Sequence, residues 1–165
     1  MVNLSGEWYL GGIFGFLVCL VSPSSLSAQS IEVDNTLAPN VSSVTFSPEN
    51  NTFEITGGQL SNNQSSLFHS FEKFSVPLET VAFFKNDVSI QNIIGRVTGD
   101  SISAVEGVIR TNGTTNLFLL NPNGVTFGPE AKLEINGSFL ATTADRILFE
   151  GEEFFSATET ENQPL

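Results

Sequence analysis

The sequence predicts an all-β protein wound as a parallel β-helix, and three observations carry this prediction. The first is composition, since 165 residues include 15 Phe and 14 Gly but only 6 Lys and Arg together. Aromatic and β-branched residues suit strands, while Gly and Asn suit turns. The second is short apolar-polar alternation from Ile31 onward, and the third is the regular spacing of turn signals.

Short runs of the chain alternate with the period of two residues that marks a half-buried strand. The run Lys132-Leu133-Glu134-Ile135 places its two apolar side chains on one face and its two charges on the other. The same alternation occurs in the runs 53–55, 81–83 and 125–127.

The turn signals decide how these strands are joined. Asn-Gly pairs tolerate positive φ and stand at 112–113, 123–124 and 136–137. They fit either hairpins or a coil of strands stacked turn on turn. Runs that begin at Leu117 and Ser138 start about 21 residues apart, and a turn of roughly 20 to 25 residues favours the coil.

The coil arrangement makes specific packing predictions. Apolar side chains should stack inward in rows, with Phe139 beside Phe118 or Leu119 of the neighbouring turn. Asn side chains at the corners should form ladders along the axis, as they do in stacked β-structures.

Charge and rare residues exclude several function classes. The chain has 18 acidic and 6 basic residues and a net charge of −12, which argues against a nucleic-acid partner. A single Cys and a single His leave no structural zinc site and no internal disulfide. No nucleophile or carboxylate motif accompanies His69, so we expect it to be structural, and we expect no enzymatic activity.

The N-terminal residues 1–28 are predicted to be a signal peptide. The apolar run 11–21 is too short to span a bilayer and is followed by small and polar residues at 22–29. Cleavage near Ser27 or Ala28 would remove Cys19. No Lys or Arg precedes the apolar run, which departs from the usual pattern. A buried strand and an uncleaved anchor are the alternatives.

Three ordered stretches resemble a known family, the N-terminal two-partner secretion domain of filamentous haemagglutinin-type exoproteins, in its cyanobacterial form. The resemblance covers residues 29–150. The matching stretches are 67–76, then 90–99 with 107–113, and finally 116–129 with 137–145.

The resemblance implies a right-handed parallel β-helix with N-terminal capping strands. It also implies a secretion-targeting module that crosses the inner membrane by the general secretory machinery. An outer-membrane β-barrel partner with periplasmic POTRA domains would then recognise it, and the protein would be secreted or held at the surface of a Gram-negative-type, cyanobacterial cell. Neither a cofactor nor a metal is implied. A surface adhesin, or an adhesive fragment of one, is the alternative function.

The candidate site is the run Asn121-Pro122-Asn123-Gly124. Asn at the first position, Pro at the second and Gly at the fourth are typical of a type I turn. Turn chemistry explains all four residues, and the family resemblance adds recognition by the secretion partner as a second interpretation.

Two further features complete the sequence predictions. Local ion pairs of little energetic value are expected between Arg96 and Asp100 and between Arg110 and Glu106. Residues 151–165 carry several Glu and are expected to form an acidic, solvated and partly disordered tail.

Removal of the signal peptide is directly testable. We predict that the exported protein begins between about Ser27 and Ser30, because small residues there follow the apolar run. Mass spectrometry of the extracellular fraction measures this terminus. Recovery of a chain that still begins at Met1 would contradict the prediction.

Overall fold

The computed structural model of the protein describes residues 30–161, and its regular structure is almost entirely β. One 3₁₀ turn lies at Glu150–Glu152. The strands, in chain order, are β1 (Ile31–Val33), β2 (Ser42–Ser47), β3 (Thr52–Gly57), β4 (Gln59–Leu60), β5 (Ser66–Phe74), β6 (Val81–Phe84), β7 (Asn92–Val97), β8 (Ser103–Val105), β9 (Val108–Thr111), β10 (Asn116–Leu120), β11 (Val125–Phe127), β12 (Lys132–Glu134), β13 (Phe139–Thr142), β14 (Arg146–Leu148) and β15 (Phe154–Ser156).

Most strands stack in parallel into a solenoid of about three turns. The first sheet has the order β5-β7-β10-β13, the second β3-β6-β9-β12, and the third pairs β8 with β11. Successive turns become slightly shorter along the chain. Asn92 follows Ser66 of the preceding turn by 26 residues, Asn116 follows Asn92 by 24, and Ser138 follows Asn116 by 22. The predicted parallel β-helix is therefore confirmed, and stacked coils rather than hairpins form the body of the protein.

Side-chain amides join successive turns where the strands of the first sheet begin. Asn116 Nδ2 donates to Asn92 Oδ1 at 3.0 Å, and Asn92 Nδ2 donates to Ser66 Oγ at 3.3 Å. Asn116 Oδ1 accepts the backbone N–H of Ser138 at 2.8 Å. The predicted Asn ladder is confirmed, and it fixes the register of the stack.

Two of the Asn-Gly corners need glycine for different reasons. Gly124 has a φ of +124°, which L side chains rarely adopt. Gly137 does not have positive φ, but a Cβ there would lie 2.5 Å from the carbonyl oxygen of Thr115 in the preceding turn. The close approach of two stacked turns, rather than a left-handed backbone, therefore requires the second glycine.

Apolar side chains fill the interior in aligned rows. Leu67, Ile93, Leu117 and Phe139 occupy one row of the first sheet in successive turns. The neighbour of Phe139 is therefore Leu117, and the predicted pairing with Phe118 or Leu119 is wrong by one or two positions. Because strand residues alternate between faces, Phe118 lies on the outer face of the sheet instead.

Antiparallel strands cap the N-terminal end of the solenoid. Strand β2 pairs antiparallel with β3, while β1 and β4 both pair antiparallel with β5. These pairs cover the N-terminal edges of β3 and β5, so β1, β2 and β4 are the edge strands at this end. The capping strands implied by the family resemblance are confirmed.

The C-terminal hairpin covers the outer face of the first sheet. Strands β14 and β15 pair antiparallel, and Phe155 packs with Phe68 and Ile94 in a second apolar cluster. The ring centroids of Phe68 and Phe155 are 5.0 Å apart. Strands β5 and β7 are consequently buried on both faces.

This hairpin differs from the expected solvated tail at 151–165. Phe155 is fully buried and Ala157 nearly so, because their apolar side chains cover the sheet rather than face water. Residues 162–165 and the predicted signal peptide, 1–28, lie outside the described residues.

The opposite end of the solenoid is open within the described range. Its last turn consists of β11, β12 and β13, and none of these strands pairs with a further strand beyond it. Side chains that would be interior elsewhere are half-buried or exposed here, including Phe139, Phe127 and Leu133.

His69 is part of the core. Its ring lies between Phe71 and Phe84, with centroids 6.0 and 5.4 Å away, and its Nδ1 is 3.0 Å from Ser42 Oγ. That hydroxyl accepts the N–H of Ser70 at 3.3 Å, so its own proton is available to Nδ1. Burial lowers the pKa of His69 to about 4, so the ring is neutral at pH 7.

Core substitutions should cost stability in proportion to burial. We predict that Phe84→Ala lowers the free energy of unfolding by about 3–5 kcal/mol, because Phe84 is fully enclosed. Phe139→Ala should cost about half as much, because its ring lies at the open end. Denaturant melts measure both values. Equal losses, or a loss under about 1 kcal/mol for Phe84→Ala, would contradict this packing.

Acid should destabilise the protein through His69. The unfolded chain binds a proton near pH 6.5, whereas the folded chain binds it only near pH 4. The free energy of unfolding should therefore fall as the pH drops from 6.5 to 4, by about 3 kcal/mol, with no contribution at pH 7. His69→Asn retains a polar atom for Ser42 and cannot titrate. Melts of the two proteins should converge in stability as the pH falls, and a constant difference would contradict the prediction.

Candidate functional site

The candidate run folds as the predicted β-turn, directly after β10. The Asn121 carbonyl accepts the N–H of Gly124 at 3.0 Å. The Asn121 side chain closes a second ring, since its Oδ1 accepts the N–H of Asn123 at 2.9 Å. Asn is favoured at this position because its side chain can make this bond.

Asn121 also binds the turn to its neighbours. It is fully buried, and its Nδ2 donates to the Ser101 carbonyl at 3.0 Å and to Ser103 Oγ at 2.9 Å. Its backbone N–H donates to the Thr142 carbonyl at 3.0 Å. One residue therefore connects three consecutive turns of the solenoid, which is a structural role.

The other three residues of the run face outward to different degrees. Asn123 is exposed, while Pro122 and Gly124 are half-buried. Asn123 Nδ2 donates to the Gly99 carbonyl at 2.8 Å, which holds its side chain against the preceding turn. Ile102, 53% exposed, stands beside Gly124. This surface, formed by Pro122, Asn123, Gly124 and Ile102, is called the corner patch below.

Arg96 takes a role that our reading of the sequence did not predict. The predicted ion pair with Asp100 is wrong, because the Arg96 side chain is fully buried on the outer face of the first sheet. Its Nε donates to Ser70 Oγ at 2.8 Å, and its Nη2 donates to Thr36 Oγ1 at 2.8 Å. Its Nη1 donates to the backbone carbonyl of Ser156 at 2.6 Å.

A half-buried carboxylate, that of Asp34, balances this charge through hydroxyl groups. Asp34 Oδ1 accepts the hydroxyl of Thr36 at 2.7 Å, and Oδ2 accepts that of Ser70 at 2.8 Å and that of Thr98. Burial by itself would raise the pKa of Asp34, but these hydrogen bonds outweigh it and lower the pKa. Burial lowers the pKa of Arg96 to about 10, so both groups are charged at neutral pH.

The aromatic ring of Phe155 completes the cluster. The Arg96 guanidinium carbon lies 4.4 Å from its centroid, a cation–π contact that is stronger when desolvated. We call the group of Arg96, Asp34, Thr36, Ser70 and the segment 155–156 the Arg96 clamp. It joins the N-terminal segment, the first sheet and the C-terminal hairpin.

Arg110 forms an ion pair on the protein surface. Its Nε lies 2.6 Å from Glu134 Oε2 of the next turn, rather than beside Glu106 as predicted. Both side chains are largely exposed, so this pair contributes little stability.

Two searches of the described residues concern metal sites and membrane-spanning helices. Over 30–161, no group of three or more His, Cys, Asp or Glu side chains is arranged to hold a metal ion. No helix in that same range is long and apolar enough to cross a bilayer.

Comparison with known proteins identifies the family. A family model described as a TPS secretion domain, where TPS stands for two-partner secretion, matches residues 29–165. Neither the search of curated proteins nor the search of solved structures found a match. The matched range extends past residue 150, so it includes the C-terminal hairpin and the whole Arg96 clamp. The resemblance seen in the sequence is confirmed, and the chain belongs to the TPS secretion domain family, the targeting modules of two-partner secretion.

Proposed function

We propose that this domain directs export by binding the periplasmic POTRA domains of a dedicated outer-membrane β-barrel. Membership of the TPS secretion domain family is the observation that carries the proposal. The signal peptide, 1–28, would first deliver the chain to the general secretory machinery. The setting is a Gram-negative-type bacterium, of cyanobacterial kind, with the protein released or held at the cell surface.

The covalent structure suits passage through a narrow pore. Residues 30–161 contain no cysteine, so no disulfide within that range needs to form or break during transport. The parallel stack pairs each strand with the preceding turn, and such a fold can form progressively as the chain emerges. Extended segments can meanwhile add to strand edges of the partner.

The corner patch is the proposed contact with the barrel partner. The Asn121 side chain is buried and makes its hydrogen bonds within the fold, so it supports the corner patch but is not accessible to a partner. Asn123 presents an exposed amide on a rigid turn, with Pro122 and Gly124 on either side. A rigid corner loses little conformational entropy on binding, which favours recognition there.

A matched pair of substitutions tests the patch. We predict that Asn123→Ser lowers secretion while the purified protein stays folded, since it removes one hydrogen bond worth about 0.5–1.5 kcal/mol. Asn136→Ser is the control: Asn136 lies at another corner and likewise donates, at 3.1 Å, to a carbonyl of the preceding turn, that of Gly113. Secretion with the cognate barrel and circular dichroism melts measure the two effects.

If both variants are secreted in proportion to their stability, the turn is only structural. In that case Asn121→Ala should lose the most stability and the most secretion of the three variants, because it leaves buried hydrogen-bond partners unsatisfied.

The export function has its own test. Extracellular yield should depend on co-expression of the cognate barrel, because the proposal supplies no other route across the outer membrane. Equal yield with and without the barrel would overturn the proposal. Binding of the purified domain to cell surfaces, in the absence of any barrel, would instead support the adhesin alternative.

A further inference from the structure

The C-terminal hairpin, formed by β14 and β15, is a separable cover on the first sheet. The two strands form a two-stranded sheet of their own. Ile147, Phe149 and Phe155 pack on the outer face of the first sheet, and the Ser156 carbonyl accepts a hydrogen bond from Arg96. Because its strands pair with each other rather than with the solenoid, the hairpin can open without breaking the stacked turns.

The face beneath the hairpin is made by strands that come much earlier in the chain. Phe68 on β5 and Ile94 on β7 are 4% and 3% exposed under the cover, and Arg96 is fully buried beside them. Strands β5 and β7 are complete at residue 97, whereas the hairpin begins at Arg146. A form with stacked turns and an undocked hairpin therefore presents two large apolar side chains and an arginine to a partner. Contiguous apolar surface of this kind is typical of an interaction site.

We propose that the barrel partner binds this face before the hairpin covers it, and that docking of the hairpin releases the barrel. The inference rests on the proposed export function and adds a binding surface and a release step to it. The hairpin shows what an occupant must offer: apolar side chains over Phe68 and Ile94, and a carbonyl oxygen for the Arg96 guanidinium. An extended strand of the barrel's periplasmic domains carries both kinds of group.

The covered face and the corner patch meet at one end of the first sheet. Arg96 is paired in register with Leu120, and Asn121, the first residue of the turn, follows Leu120 directly. One partner can therefore contact both surfaces while the hairpin is undocked. Once the hairpin docks, the corner patch alone stays accessible, so the barrel loses part of its contact area and dissociates more readily.

Competition for one face makes the two events reciprocal. If the barrel binds only the open form, its apparent dissociation constant is the intrinsic one divided by the fraction of molecules in which the hairpin is undocked. The bound barrel must in turn hold the hairpin open to the same extent. Loosening the hairpin should therefore strengthen binding of the barrel, although it weakens the fold.

Binding of the exported full chain to the cognate barrel, purified whole in detergent, tests the proposal. Phe155→Ala should bind about tenfold more tightly than wild type, or better, because it raises the open fraction. Phe84→Ala is the matched control, since it also truncates a fully buried Phe but one inside the solenoid, and it should bind no more tightly than wild type. Ile94→Ser, added to Phe155→Ala, should remove the gain.

Hydrogen exchange of the wild-type protein measures the displacement directly. The Ala157 amide donates to the Asp145 carbonyl at the base of the hairpin, and the Val81 amide donates to the Asn51 carbonyl in the second sheet. An isolated two-stranded hairpin is marginally stable in water. Saturating barrel should therefore lower the protection of Ala157 by about tenfold or more and leave that of Val81 unchanged.

Three results would overturn the proposal. They are a Phe155→Ala protein that binds no more tightly than wild type, an equal gain for Phe84→Ala, and unchanged protection of Ala157 with the barrel bound. If secretion still depends on the barrel, such a result removes the hairpin mechanism and leaves the export function standing. Secretion that is independent of the barrel overturns the export function itself.

Discussion

The buried guanidinium of Arg96 is the interaction on which the closed form of this domain depends. A charge removed from water costs several kcal/mol unless it is paired and hydrogen-bonded. Its partners lie far apart in the chain: Thr36 is 60 residues before it, Ser156 is 60 residues after it, and Ser70 is 26 residues before it. The charge is therefore satisfied only when both ends of the described chain have reached the first sheet.

The solenoid and the Arg96 clamp form at different stages of folding. Parallel pairing, inward rows and the Asn ladder let each turn form on the one before it. The outer face of the first sheet cannot be completed in that way, because Phe155 and Ser156 arrive last. The clamp closes only after residue 156 has joined the fold, and this order suits the proposed passage of an extended chain through a pore. The fold thus suits the export role that the family assigns.

Local sequence patterns predicted much of this structure, but they did not predict contacts between residues that are far apart in the chain. The spacing of Leu117 and Ser138 predicted the stacked turns, and the residue types at 121–124 predicted the β-turn. The pairing of Arg96 was missed because a residue four positions away was an easier partner than one 60 positions away. A signal did exist: Ile93-Ile94-Gly95-Arg96-Val97 does not alternate, which is typical of a strand buried on both faces. The same reasoning predicts a cover for that face, but it does not say which segment of the chain supplies it.

Native-state hydrogen exchange of Arg96→Met tests the clamp most directly, with the exposed Arg110→Met as the control. The amide of Ala157 donates to Asp145, and that of Asp34 donates to Ser70, so these two amides report on the two ends that the clamp joins. The account predicts that Arg96→Met lowers the protection of both by about a hundredfold or more, the equivalent of losing a buried charge cluster worth about 3–5 kcal/mol, while Arg110→Met changes neither. Wild-type protection of Ala157 in Arg96→Met would contradict the claim that the guanidinium holds the domain closed.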